Sequence, residues 1–195
     1  MMIENNKNYS FTGKFINYAK IGKYVKEKNA YKDIKSSFVE IDCKSKNDVK
    51  SLENAINYWE DDKFGMNALY AVKEAQEDGS YYSYHKVYTL TSQNDNFELL
   101  NPDKILGVIH VSPMGNNKLY VDHIQTNPKY LYSMKPEYAG IGTAMIESIK
   151  KLCNMITLFP AKEKSVKDFY YKNGFQEYGH GTNCFVWIKD IFERL

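Results

Sequence analysis

The sequence predicts an α/β domain with a mixed, mostly antiparallel sheet of about six or seven strands flanked by about four helices. Three observations predict it. Residues 104–112 (KILGVIHVS) and 118–126 (KLYVDHIQT) are β-rich runs on either side of a PMGNN turn, which reads as a hairpin. Residues 140–153 then place Ile141, Met145, Ile149, Leu152 and Cys153 at helical spacing, and the apolar run 155–159 (MITLF) follows at once. A strand, a helix and a strand in that order imply a right-handed crossover between parallel neighbours. Finally, residues 165–173 form a short helix that starts at a capping Ser165 and closes at Gly174, ahead of two last strands over 175–178 and 183–189.

Upstream, residues 37–41 read as a strand. Val49, Leu52, Ala55, Ile56 and Trp59 mark an amphipathic helix begun near residues 45–48. Residues 66–77 are a second helix and 86–91 (KVYTLT) another strand. The first 35 residues stay ambiguous, because Phe11, Phe15 and Tyr18 suit a helix while the aromatic content suits strands. They are taken as an aromatic, lysine-rich extension, residues 1–35, packed on or leading into a domain over residues 36–195.

Composition limits the function classes. The chain has 195 residues, 43% hydrophobic and 26% charged, enough for one core without a disulfide or metal to hold it. A net charge of +2 gives no field that argues for a nucleic-acid partner, and no apolar run approaches the ~20 residues of a membrane helix. Cys43, Cys153 and Cys184 are isolated and without zinc spacing, so each reads as a small buried side chain, and the expected setting is reducing and cytoplasmic. Lysine supplies every basic residue but Arg194, and 17 tyrosines accompany it, as AT-rich, bacterial-type coding would give. No metal is expected: His85, His110 and His180 have no recognisable partners and read as structural. The acidic run Glu60, Asp61, Asp62 could meet a cationic acceptor, though such runs usually solvate a helix end.

Residues 137–143 (EYAGIGT) set two glycines at the opening of a helix that follows a strand and loop. Glycine lets backbone approach a ligand, and the free N–H groups at a helix start attract phosphate. A dinucleotide fold is excluded because the third glycine and the later acidic residue are missing. Residues 168–175 (DFYYKNGF) put two tyrosines on a short helix ended by glycine. In this order, strand, GxG helix, strand and FY-x-K-x-GF, the chain resembles the GCN5-related N-acetyltransferase (GNAT) superfamily over some 150 residues.

The resemblance implies a twisted sheet and a mechanism. It implies transfer of an acetyl group from acetyl-CoA to a primary amine, on a small molecule or a protein, by direct attack in a ternary complex. The family's Q/R-x-x-G-x-G/A signature falls on Glu137, Gly140 and Gly142, so Glu137, Tyr138, Ala139, Gly140, Ile141, Gly142 and Thr143 are expected to meet the pyrophosphate. Glu137 departs from the family's basic or amide residue. Residues 129–135 form an insertion expected near the acceptor entrance or beside the cofactor, and the family's asparagine before the tyrosine is replaced by Glu163. Ile124, Gln125 and Thr126 match the splayed strand whose backbone receives the thioester and pantetheine, and Phe169 is expected at the cofactor.

Tyr170 matches the family's general acid, which protonates the departing thiolate; Tyr171 points about 100° away on the helix. For the base, strand alternation puts Tyr120, Asp122, Ile124 and Thr126 on one face, with Val121, His123 and Gln125 on the other. Asp122 matches the family's catalytic carboxylate; His123 titrates nearer neutrality but lies on the opposite face, and a water chain is the third choice. The rival reading is a degenerate relative that binds coenzyme A as a regulatory or interaction module without turnover, favoured by Glu137. The acceptor is unspecified. Dimers are frequent among relatives, so a homodimer stays open.

Overall fold

The computed structural model describes residues 13–59, 63–78, 85–97, 99–131, 133–179 and 181–189. The chain order is β1 (Lys14–Val25), β2 (Ala30–Glu40), α1 (Lys46–Asn57), α2 (Lys63–Asp78), β3 (Lys86–Thr91), β4 (Ile105–Pro113) and β5 (Lys118–Thr126). It continues through β6 (Tyr138–Ala139), α3 (Ile141–Lys150), β7 (Met155–Leu158), α4 (Lys164–Lys172), β8 (Gln176–Glu177) and β9 (Phe185–Ile188). The nine strands form one sheet in the order β6-β1-β2-β3-β4-β5-β7-β9-β8, and every pairing except β5 with β7 is antiparallel.

The α/β class and the four helices match the sequence reading, and two strands are additional to it. One is β1, which pairs with β2 along nearly its whole length. Residue 36, where the domain was expected to begin, falls inside β2, and residues 14–35 hold β1, the hairpin turn and the first half of β2. The reason is visible in β1. Lysines fall on both of its faces, so only Ala19 and Ile21 are buried along it and the alternation is faint. Residues 26–28 and the left-handed Asn29 (φ 46°) turn the hairpin. The other additional strand is β6, two residues docked on β1 at Gly22 and Lys23.

Two cores lie on opposite faces. Phe38, Leu90, Ile109 and Val111 pack under α3 with Met145, Ile149, Phe175 and Phe185. Val39, Val87, Ile105 and Val108 pack under α1 and α2 with Leu52, Ile56, Leu69 and Val72. α1 starts where Ser45 Oγ accepts the Asp48 N–H, an N-cap worth about 1 kcal/mol. Cys153 is buried, whereas Cys43 and Cys184 are only half-buried, so the expectation of three buried thiols holds for one. Among the described residues no helix is long and apolar enough to cross a membrane. Glu60, Asp61, Asp62 and His180 lie outside the described residues.

Candidate active site

β5 and β7 are hydrogen-bonded only at Lys118 with Met155, Leu119 with Ile156 and Tyr120 with Thr157. Beyond Tyr120 the two parallel strands part, and β5 runs on to Thr126 paired with β4 alone. A cleft of about 650 Å³ opens at the split. Asp122, Ile124, Gln125, Thr126, Tyr138, Ala139, Gly140, Ile141, Gly142, Thr143, Phe169 and Tyr170 all line it, so one cleft gathers nearly the whole set singled out in the sequence.

The mouth of α3 is built for close approach. Gly140 is its N-cap in the left-handed region (φ 77°), and a Cβ there would meet nothing within 4 Å. The first turn of any helix leaves its N–H groups without intrahelical partners, so those of residues 141–143 and the positive end of the helix dipole meet the cleft. At Gly142 a Cβ would stand 3.2 Å from the tip of the Phe169 ring, so a side chain there would require that ring to shift by a few tenths of an ångström.

Glu137 is the exception. It is absent from the cleft lining: its carbonyl accepts the Tyr24 N–H at 2.9 Å, and its carboxylate lies 3.8 Å from Lys23 Nζ. Lys23 also stands over the Tyr138 ring, 5.7 Å from its centroid. The charge that departs from the family pattern is thus turned toward β1, away from the mouth of α3. The 129–135 insertion docks on the β1–β2 hairpin. Tyr31 donates to the Pro136 carbonyl at 3.0 Å and Lys135 Nζ donates to Asn29 Oδ1 at 2.6 Å. Tyr130 is buried edge-on against Tyr138, and with Leu131 and Pro136 it walls one side of the cleft.

Tyr170 is 5% exposed, its ring packed edge-on against Phe169 and Phe175. Among the described residues its hydroxyl has no hydrogen-bond partner, and burial pushes its pKa up to about 12. Tyr171 is exposed, donates to Glu177 at 3.4 Å, and takes no part in the cleft.

The alternation expected along β5 fails at one residue. Opposite it, His110 pairs with His123 but Val111 pairs with Val121, which leaves Asp122 as an extra residue, a β-bulge. Val121 and Ile124 therefore share the α3 face, while Asp122 and His123 both turn toward α2. His123 does not oppose Asp122, as strict alternation requires; it stands beside it. Its Nε2 lies 3.1 Å from Asn67 Nδ2 and its ring 5.9 Å from that of Phe64, both on α2, and it lines the cleft.

Behind this pair the sheet assembles a polar cluster. His110 Nδ1 is 3.4 Å from His123 Nδ1, and His110 Nε2 is 2.9 Å from His85 Nδ1. Ser112 donates to Asp122 Oδ2 at 2.6 Å, and its Oγ is 3.0 Å from His85 Nδ1. His85 and His110, read from sequence as partnerless, are partners of each other. Burial pushes the pKa of His110 down to about 4, against the pull of Asp122 and with help from His85 and His123. His123 is lowered too, by burial, while Asp122 pulls it up. Both rings are therefore neutral near pH 7. Since Asn67 Nδ2 can only donate, His123 Nε2 accepts and the ring proton sits on Nδ1.

No family sequence model and no curated protein sequence matches the chain. Solved structures do. A protein from Desulfovibrio desulfuricans, described as an acetyltransferase of the GNAT family, superposes with a TM-score of 0.52, covering 78% of this chain and 98% of that one at 11% identity. This chain has the GNAT fold. An acetyltransferase from Streptococcus agalactiae gives a TM-score of 0.48 over 79% of this chain and 97% of that one, at 17% identity. At such identities the likeness is one of fold, and the nine-stranded sheet with four helices is this chain's version of the GNAT architecture.

Proposed function

We propose that the protein is an N-acetyltransferase that moves an acetyl group from acetyl-CoA to a primary amine by direct attack in a ternary complex. The observation that carries this reading is the parting of β5 from β7 beyond Tyr120, with the glycine-opened N-terminus of α3 and the Tyr170 phenol in one cleft. The cleft fits such a substrate: a Cβ at Gly140 would point into open space where a pyrophosphate needs room, and the N–H groups of residues 141–143 would hold it. Ile124, Gln125 and Thr126, unpaired on the β7 side, would receive the pantetheine and thioester oxygen through their backbone. When bound, acetyl-CoA supplies an activated acyl group whose leaving thiolate has an ordinary pKa of about 8.5.

The chain's residues then divide the proton work. Asp122 already accepts a short hydrogen bond from Ser112 on Oδ2, so that oxygen is engaged. His123, neutral and with its Nε2 lone pair facing Asn67 at the surface, takes the amine proton as the nitrogen attacks the carbonyl carbon. Asp122 beside it favours the imidazolium that results. As the C–S bond breaks, Tyr170 gives the phenolic proton to sulfur.

One observation favours the reading in which the cleft binds coenzyme A without turnover. A phenol at about 12 is about 3.5 pK units weaker than the thiol it would protonate. Calorimetric titration with acetyl-CoA and with coenzyme A, followed by thiol release against a panel of amines, separates the readings. Binding with turnover supports transfer, binding without turnover supports the module, and no binding at millimolar cofactor removes both.

A further inference from the structure

We propose that His85 Nδ1, His110 Nε2 and Asp122 Oδ2 form a binding site for a divalent transition metal of the zinc class, on the α1/α2 face of the sheet. The three donor atoms come from the head of β3, from β4 and from the bulge of β5, and all lie within 4.8 Å of one another. The His85–His110 spacing of 2.9 Å and the His110–Asp122 spacing of 3.9 Å bracket the roughly 3.3 Å between neighbouring donors around tetrahedral zinc. Two imidazoles and one carboxylate are a recognised zinc set with a fourth position left for water.

The surroundings supply what such a site needs. Tyr120 pairs with Ser112 and Val121 with Val111, so Asp122 lies on the face of Ser112 and His110, and the bulge turns His123 onto the same face. Ser112 Oγ, 2.6 Å from Asp122 and 3.0 Å from His85, orients the carboxylate or gives a further oxygen. His110 is 4% exposed, so its ring is held in place by packing, and its remaining nitrogen faces His123 Nδ1, the outer partner that ligating histidines usually have. His85 and Asp122 are only half-buried, which leaves an entry path. Ligation takes the His110 Nε2 lone pair and puts that ring's proton on Nδ1, so His123 must move its own proton from Nδ1 to Nε2 to accept it. Where the acetyl-transfer reading holds, occupancy thus acts on the base through one hydrogen bond.

The test uses the tag-free full chain, chelator-treated and then titrated with Zn²⁺ by calorimetry and with Co²⁺ by visible absorption, without acetyl-CoA, so that it stands or falls apart from the acetyl-transfer reading. The expected result is one metal per chain at micromolar affinity, a Co²⁺ spectrum without thiolate charge-transfer bands, and at least about tenfold weaker binding in each of His85→Gln and Asp122→Asn. Circular dichroism of both variants checks that they fold. No saturable binding up to about 100 μM would overturn the proposal. So would binding that both folded variants retain within threefold, or thiolate bands that place the metal on a cysteine.

Discussion

Replacing Tyr170 by phenylalanine removes one oxygen from a ring that is 5% exposed and packed against Phe169, Phe175 and Phe185. Its hydroxyl has no protein partner among the described residues, so no hydrogen bond is broken and no donor or acceptor is orphaned. The expected stability change is within about 0.5 kcal/mol, a melting shift of about 2 °C or less. Catalysis should respond differently. A positioned general acid contributes about 10²–10⁴ in rate. With its pKa at about 12, full transfer to a free thiolate would be uphill by about 5 kcal/mol, so Tyr170 can help only as the C–S bond breaks, and the low end applies. The kcat of Tyr170→Phe should fall about 100-fold with the Kd for acetyl-CoA changed less than threefold. Thiol release followed with a chromogenic reagent reads kcat, and Tyr171→Phe, altered outside the cleft, serves as the control. A Tyr170→Phe enzyme with kcat within twofold of wild type would refute the assignment.

Further outcomes follow from neighbouring features. Gly140→Ala forces an alanine into the left-handed region, costing about 1 kcal/mol of stability, and sets a methyl in the cradle; calorimetry should show acetyl-CoA binding weakened about tenfold or more, and undiminished binding would place the phosphate elsewhere. Glu137→Gln should leave that Kd within twofold, because the side chain faces Lys23; a change beyond tenfold would put the carboxylate at the ligand after all. For metal-free protein, His110 faces His85, His123 and Asp122 with its pKa below the unfolded value of about 6.5. Its contribution to stability is present above that value and is lost as pH falls toward about 4. Urea unfolding across that window should show a slope approaching about 1.4 kcal/mol per pH unit, reduced in His110→Gln; equal slopes would show that other groups carry it.

What the sequence disclosed, it disclosed through local signals. The hairpin around PMGNN, the spacing of Ile141, Met145 and Ile149, and the Gly174 terminator each act within a few residues, and the structure has an element at each. The resemblance carried Gly140, Gly142, Phe169 and Tyr170 into one cleft because those positions are tied to elements of fixed order. Three things were hidden for physical reasons. The bulge at Asp122 depends on how β4 counts its residues against β5, and an alternating pattern on β5 alone predicts a regular strand. The meeting of His85, His110 and His123 needs three strands in register. β1 conceals itself because lysines occupy both faces and the partner that buries Ala19 and Ile21 is α3, more than a hundred residues away.

The split between β5 and β7 has a mechanical meaning as well. The strands beyond it, β7, β9 and β8, join the rest of the sheet through three residue pairs at Lys118, Leu119 and Tyr120, and through the packing of α3 and α4. The sheet behaves like a book whose spine is stitched at one end. Amide protons of β7 and β9 should therefore exchange through a partial opening that spares β1 to β5. A ligand lodged between the pages would close that opening, so its arrival should be felt first as slower exchange in β7 and β9.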